Sequence, residues 1–136
     1  MVATSRRIEV RAAPGPVPAP VALARLVALE CRAAGRLEAG RACAALAPDA
    51  PAEAAMGLLV RALASGMVRR PVLYAPGSRD LSPDERWLLA LIAACARGDR
   101  GSIRFLTTRR CHPQARAAIA ALAYAVATNA GHLESF

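Results

Sequence analysis

The chain has 136 residues, about one domain by length and enough to bury a core without disulfides or a structural metal. Apolar residues make up 55% of it, a large share of them Ala, while aromatics are only 4%; this composition predicts closely spaced helices and excludes an extensive sheet. The formal charge of +8 is carried by arginine alone, with no lysine, and is scattered except at the pairs Arg6-Arg7, Arg69-Arg70 and Arg109-Arg110, as a GC-rich coding bias would leave it.

Residues 1–20 are expected to form an extended or disordered arm. Pro14, Pro16, Pro18 and Pro20 exclude regular hydrogen-bonded structure there, although Ile8-Glu9-Val10 alternates as a short strand would. Ser5-Arg6-Arg7 has the look of a twin-arginine start, but Glu9, Arg11 and the prolines stand where an apolar targeting stretch is needed. A helix over 21–34 follows, with Leu23, Leu26, Val27 and Cys31 on one stripe, Arg25 and Arg32 on another, and Gly35 ending it. Residues 36–47 read as a weaker helix interrupted by Gly40, before a turn through Pro51.

From Pro51 to Ser65 the apolar spacing is the clearest in the chain: Met56, Leu59, Val60, Leu63 and then Met67 recur at helical intervals, with Glu53 and Arg61 towards solvent. Pro71 forbids helix in the next stretch, so 68–74 is expected to be extended, with Val72-Leu73-Tyr74 able to pair with Ile8–Val10 as a minimal two-stranded ribbon. The segment from Leu81 to Gly98 carries both ends of a helix. Ser82 suits the N-cap, Pro83 the first turn, Glu85 a capping box, Arg97 the last turn and Gly98 a left-handed stop. Trp87 to Ala96 between them is unbroken apolar sequence, which predicts a helix buried on every side at the centre of the bundle.

Asp99 and Ser102 are candidate caps for a short helix from Ile103 to about Arg110 that buries Ile103, Leu106 and Phe105. Pro113 starts the last helix, which runs to about Asn129 with Ile119, Leu122 and Val126 on one side and Ala120, Tyr124 and Ala127 on another. Residues 132–136 read as a tail.

Little in this inventory carries chemistry. Cys31, Cys43, Cys95 and Cys111 form no C-x-x-C pair, which suits reduced thiols in a cytoplasm better than a zinc knuckle or a disulfide scaffold. Asp84, Glu85 and Asp99 are accounted for by helix ends, and no Gly-rich phosphate loop occurs, so no catalytic residue and no cofactor is expected. Trp87 lies one turn into an apolar helix, where core packing explains it better than ligand stacking. The apolar runs fall well short of the ~20 residues that a membrane-spanning helix needs.

The expected fold is therefore all-α: an arm over 1–20 and a single compact bundle of five or six helices over 21–136. The expected function is that of a non-enzymatic small cytoplasmic bacterial protein, regulatory or adaptor in role, that binds another protein or a second copy of itself through Ala120, Tyr124 and Ala127. The competing reading is a winged helix-turn-helix DNA-binding regulator using Arg61, Arg69 and Arg70, since three helices precede an extended stretch as that architecture requires. Against it, the helix over 51–65 presents few polar side chains to a groove. A third reading is a redox- or metal-responsive switch at Cys111 and His112, the one place where a thiol and an imidazole adjoin.

Overall fold

The computed structural model describes residues 16–31 and 34–129. Among these residues six helices follow one another: α1 Ala19–Glu30, α2 Ala39–Ala45, α3 Ala52–Gly66, α4 Pro83–Arg97, α5 Arg100–Arg110 and α6 Arg116–Thr128, the last entered through a 3₁₀ turn at Pro113–Ala115. The all-α bundle is as expected. Ile8–Val10, Arg32 and the tail lie outside the described residues, and with them the expected ribbon and most of the arm. The only pairing outside helices among the described residues is a single antiparallel bridge between Met67 and Cys111, where Val68 N–H donates to Arg110 O and His112 N–H to Gly66 O, both at 2.8 Å.

The local signals at α4 act as read. The Ser82 hydroxyl accepts the Glu85 N–H, the Glu85 carboxylate accepts the Ser82 N–H, and Gly98 takes φ 69°. The expected burial of α4 on every side is not found. Arg86, Ala90, Ala93, Ala96 and Arg97 are exposed, because an alanine methyl can face water at little cost and an unbroken apolar run rich in Ala does not require full burial. Nor is α4 the centre. That place belongs to α3 and α6, which pack on each other, α3 also meeting α1 and α2, and α6 also meeting α2, α4 and α5.

The contact between these two is close. A Cβ on Gly66 would lie 2.7 Å from Ile119 Cδ1 and 2.9 Å from the Ala115 methyl, so glycine is what lets the end of α3 lie against α6. Around that crossing Met56, Leu59 and Leu63 of α3 and Ile119, Leu122 and Val126 of α6 are buried as their spacing predicted. Asn129, the C-cap of α6, donates to Ala50 O at 2.6 Å and ties the turn before α3 to the same core.

Two helices depart in part from the side expected, although Val27 and Ile103 are buried as read. In α1 the inward residues are Val21, Ala24, Arg25 and Val27, while Leu26 is 53% exposed; regular helix begins at Ala19 and stops at Glu30, four residues short of the expected end. In α5 the buried residues are Ile103 and Thr107, and Phe105, expected inside, is exposed. The Thr107 hydroxyl donates to Ile103 O at 2.9 Å, so its polar atom is satisfied within its own helix and the residue can point inward.

The cause of the rotation of α1 is an ion pair. Arg25 and Glu85 side chains are 1% and 0% exposed, and they meet in a fork, Nε to Oε2 at 2.8 Å and one terminal nitrogen to Oε1 at 2.9 Å. The remaining valences are used too: the guanidinium donates to Ser78 O and Asp80 O at 2.7 Å each, and Glu85 Oε2 accepts the Tyr74 N–H at 2.8 Å. Among the described residues no buried side-chain polar atom lacks a partner.

Removing one member leaves the other charge buried and unpaired. Arg25→Met or Glu85→Gln is expected to destabilise the fold by about 3–5 kcal/mol, and the joint change to apolar residues to recover part of that loss, as read from urea unfolding. Burial pushes the Glu85 carboxyl up, but hydrogen bonds from Arg25 and from the Ser82 and Tyr74 N–H groups, with the Arg25 charge, outweigh it and hold the group below the ordinary carboxylate range. Its contribution is thus complete above the unfolded value of about 4.3 and is lost as pH falls through the lower folded value. Stability measured from pH 5 downward should fall in the wild type, and the Glu85→Gln variant should lack that part of the slope.

Candidate functional site

The connection from Met67 to Ser82 has no regular structure, and connections beyond about 12–15 residues of this kind are uncommon in compact domains unless they carry a function. It is pinned at several points along its length. At its start is the Met67–Cys111 bridge. Further on, Val72 N–H donates to Asp84 Oδ2 at 2.8 Å and the Ser82 hydroxyl to Val72 O at 2.6 Å, so the N-terminus of α4 holds it; Glu85 and Arg25 fix its second half.

The bridge has a consequence for charge. It sets Arg69-Arg70, just past α3, beside Arg109-Arg110 at the end of α5, so that two arginine pairs forty positions apart line one basin of about 620 Å³. Asp84 is the sole carboxylate among the described residues of its lining. Arg110 is paired with Asp84, and the Arg109 guanidinium lies over the Phe105 ring, 5.5 Å from its centroid. Arg69 and Arg70 extend into solvent. Both Arg109 and Arg110 also stand in the last turn of α5, where positive charge complements the helix dipole.

Arg109 and Arg110 form a ridge shared with a second hollow of about 380 Å³. Its lining is mostly apolar, from Pro83, Trp87, Phe105 and Leu106, with Arg86 on its rim. The indole is held in place by its N–H, which donates to Leu106 O at 3.0 Å. Phe105, Val68 and Val72 are 59%, 60% and 53% exposed, so large apolar side chains stand among the arginines across the whole face.

The other residues singled out from sequence are placed as follows. Arg61 is engaged within the fold, donating to Gly35 O at 3.0 Å and Ala34 O at 3.4 Å across the turn after α1, although it shares a hollow with Arg70. Of the expected interface residues, Ala120 and Ala127 are half-buried against the core and Tyr124 is exposed, on the rim of a groove between α5 and α6. Cys111 is fully buried, and Arg116 caps the chain there by donating to Cys111 O at 3.1 Å and Thr108 O at 3.3 Å. His112 is half-buried at the bridge. No three His, Cys, Asp or Glu side chains among the described residues come together as metal ligands would. Val68, Val72, Phe105, Arg109 and Arg110 are among the members of the face that sequence reading did not select, although the Arg109-Arg110 pair was visible.

No family model, characterised protein or solved structure matches the chain.

Burial pushes the Cys95 and Cys111 thiols up to about 11 each, against some opposition at Cys111 from the Arg116 charge. Thiol titration at pH 7.5 should therefore modify half-buried Cys31 and Cys43 first, with Cys95 and Cys111 reacting only on unfolding. Rapid modification of Cys111 in the folded protein would restore the case for a redox switch.

Proposed function

We propose that the protein is a non-enzymatic interaction module that binds another protein through the face formed by segment 67–74 and the facing ends of α4 and α5. The observation that carries this reading is the interleaving of uncompensated arginines with exposed Val68, Val72 and Phe105 on a rigidly pinned surface. Such a mixture of arginine and large apolar side chains is the composition of protein interfaces rather than of an ordinary solvated surface. The carboxylates that could serve acid–base chemistry are otherwise engaged: Asp84 with Arg110 and Val72, Glu85 with Arg25, and Asp99 with Ser102 and Arg97.

A DNA-binding regulator draws on the same arginines, since Arg69 and Arg70 are joined by Arg109 and Arg110 in one basin. Two features support the protein partner over it. Among the described residues the two hollows offer no amide or hydroxyl side chain for base edges, and α3, the helix a winged helix-turn-helix would insert, is packed against α1, α2 and α6.

A benzoylphenylalanine photo-crosslinker at position 105, in cells that naturally make the protein, tests the reading against the same group at exposed Ala90 on the outer side of α4. A discrete protein adduct is expected from position 105 alone, and Arg69→Glu with Arg70→Glu should abolish it. Equal labelling from both positions, or an adduct with nucleic acid, would overturn the proposal.

A further inference from the structure

The face has two chemically distinct halves. On one side of the Arg109–Arg110 ridge lies the basin with Arg69 and Arg70, where, among the described residues, four guanidinium groups face one carboxylate. On the other lies the hollow walled by Pro83, Trp87, Phe105 and Leu106. We infer that the partner's recognised element is a segment in which a run of carboxylates is joined to one large apolar side chain, the acidic run lying in the basin and the apolar group in the adjoining hollow. The inference deepens the interaction reading above and rests on it.

Charge complementarity fixes the first half. Asp84 neutralises Arg110 alone, so among the described residues Arg69, Arg70 and Arg109 have no carboxylate partner over a single concavity. Carboxylates supply what such a cluster lacks, and their planar oxygens match the guanidinium fork. The second half follows from shape and rigidity. The Trp87 indole cannot swing to fill the hollow, because its N–H is bonded to Leu106 O, and Phe105 is stacked under Arg109. What remains is a hollow of about 380 Å³ with an apolar wall and arginines at its edge, Arg109 and Arg110 being shared with the basin. A purely anionic ligand would leave the wall of Pro83, Trp87, Phe105 and Leu106 unmet, and an uncharged apolar one would leave the guanidinium groups uncompensated. A segment carrying both matches the two together.

The test uses the full chain and short fluorescein-labelled peptides of Asp and Glu carrying one leucine at either end, read by anisotropy. Companion peptides replace the leucine by serine, or the acids by Asn and Gln. A labelled random duplex DNA serves as the competing polyanion. The acidic, leucine-bearing peptide is expected to bind more tightly than both companions and than the DNA. Arg69→Glu with Arg70→Glu should weaken it by about tenfold or more at low salt, with a smaller effect at high salt. Phe105→Ala, at an exposed position, should weaken binding by an amount that persists at high salt.

Equal binding of the serine peptide, or of the uncharged peptide, would overturn the two-part recognition; tighter binding of DNA would overturn it in favour of a nucleic-acid partner. Failure of every peptide alongside an Arg69/Arg70-dependent protein crosslink at position 105 would overturn this inference and leave the interaction reading standing. Failure of both would remove both.

Discussion

The buried pair Arg25–Glu85 is the constraint from which most of the arrangement follows. An arginine placed among apolar residues of α1 can enter the interior only if its charge and its donors are met there, and Glu85 together with the carbonyls of Ser78 and Asp80 meets them. That requirement orients α1, seats it against α4, and draws the long connection between α3 and α4 back over the bundle. The same carboxylate closes the capping box of α4 and accepts the Tyr74 N–H. One side chain therefore joins a helix start, a neighbouring helix and a loop, so that a local disturbance at any of them is felt at the others.

The surface depends on that interior. Because the connection is held at both ends, by the Met67–Cys111 bridge and by the network at Glu85, Arg69 and Arg70 cannot drift away from the end of α5. Gathering like charges on one concavity is unfavourable in the free protein, and only part of the cost is offset, by Asp84 and by the α5 dipole. A rigid surface of this kind would lose little conformational freedom on binding, and charge of this sign would favour the acidic partner proposed for it from the first encounter.

What could be read from the sequence was what depends on near neighbours. Ser82, Pro83, Glu85 and Gly98 define α4 through contacts within a few residues, and the stripes of α3 and α6 follow from helical spacing alone. The inward side of α1 was not legible, because Arg25 is an inward residue only in the presence of Glu85, sixty positions later. Phe105 was misplaced for a related reason: Thr107 hides its hydroxyl within α5 and takes the inward direction that a large aromatic was expected to hold. The centrality of α4 was overestimated because alanine counts as apolar without needing burial. The same limit governs the candidate site. Each arginine pair was visible, but their meeting depends on a single bridge between residues forty-four positions apart, for which no local pattern exists.

The most direct measurement is native-state hydrogen exchange at the Tyr74 amide, which lies in an irregular loop yet donates to the Glu85 carboxylate. If the buried pair organises the fold as described, this amide exchanges only through the same global opening that exposes the amides of α3 and α6, and Arg25→Met speeds it together with theirs. Exchange at the rate of an unprotected loop, with the core helices still protected, would show that the connection is not held by the pair and would contradict the account.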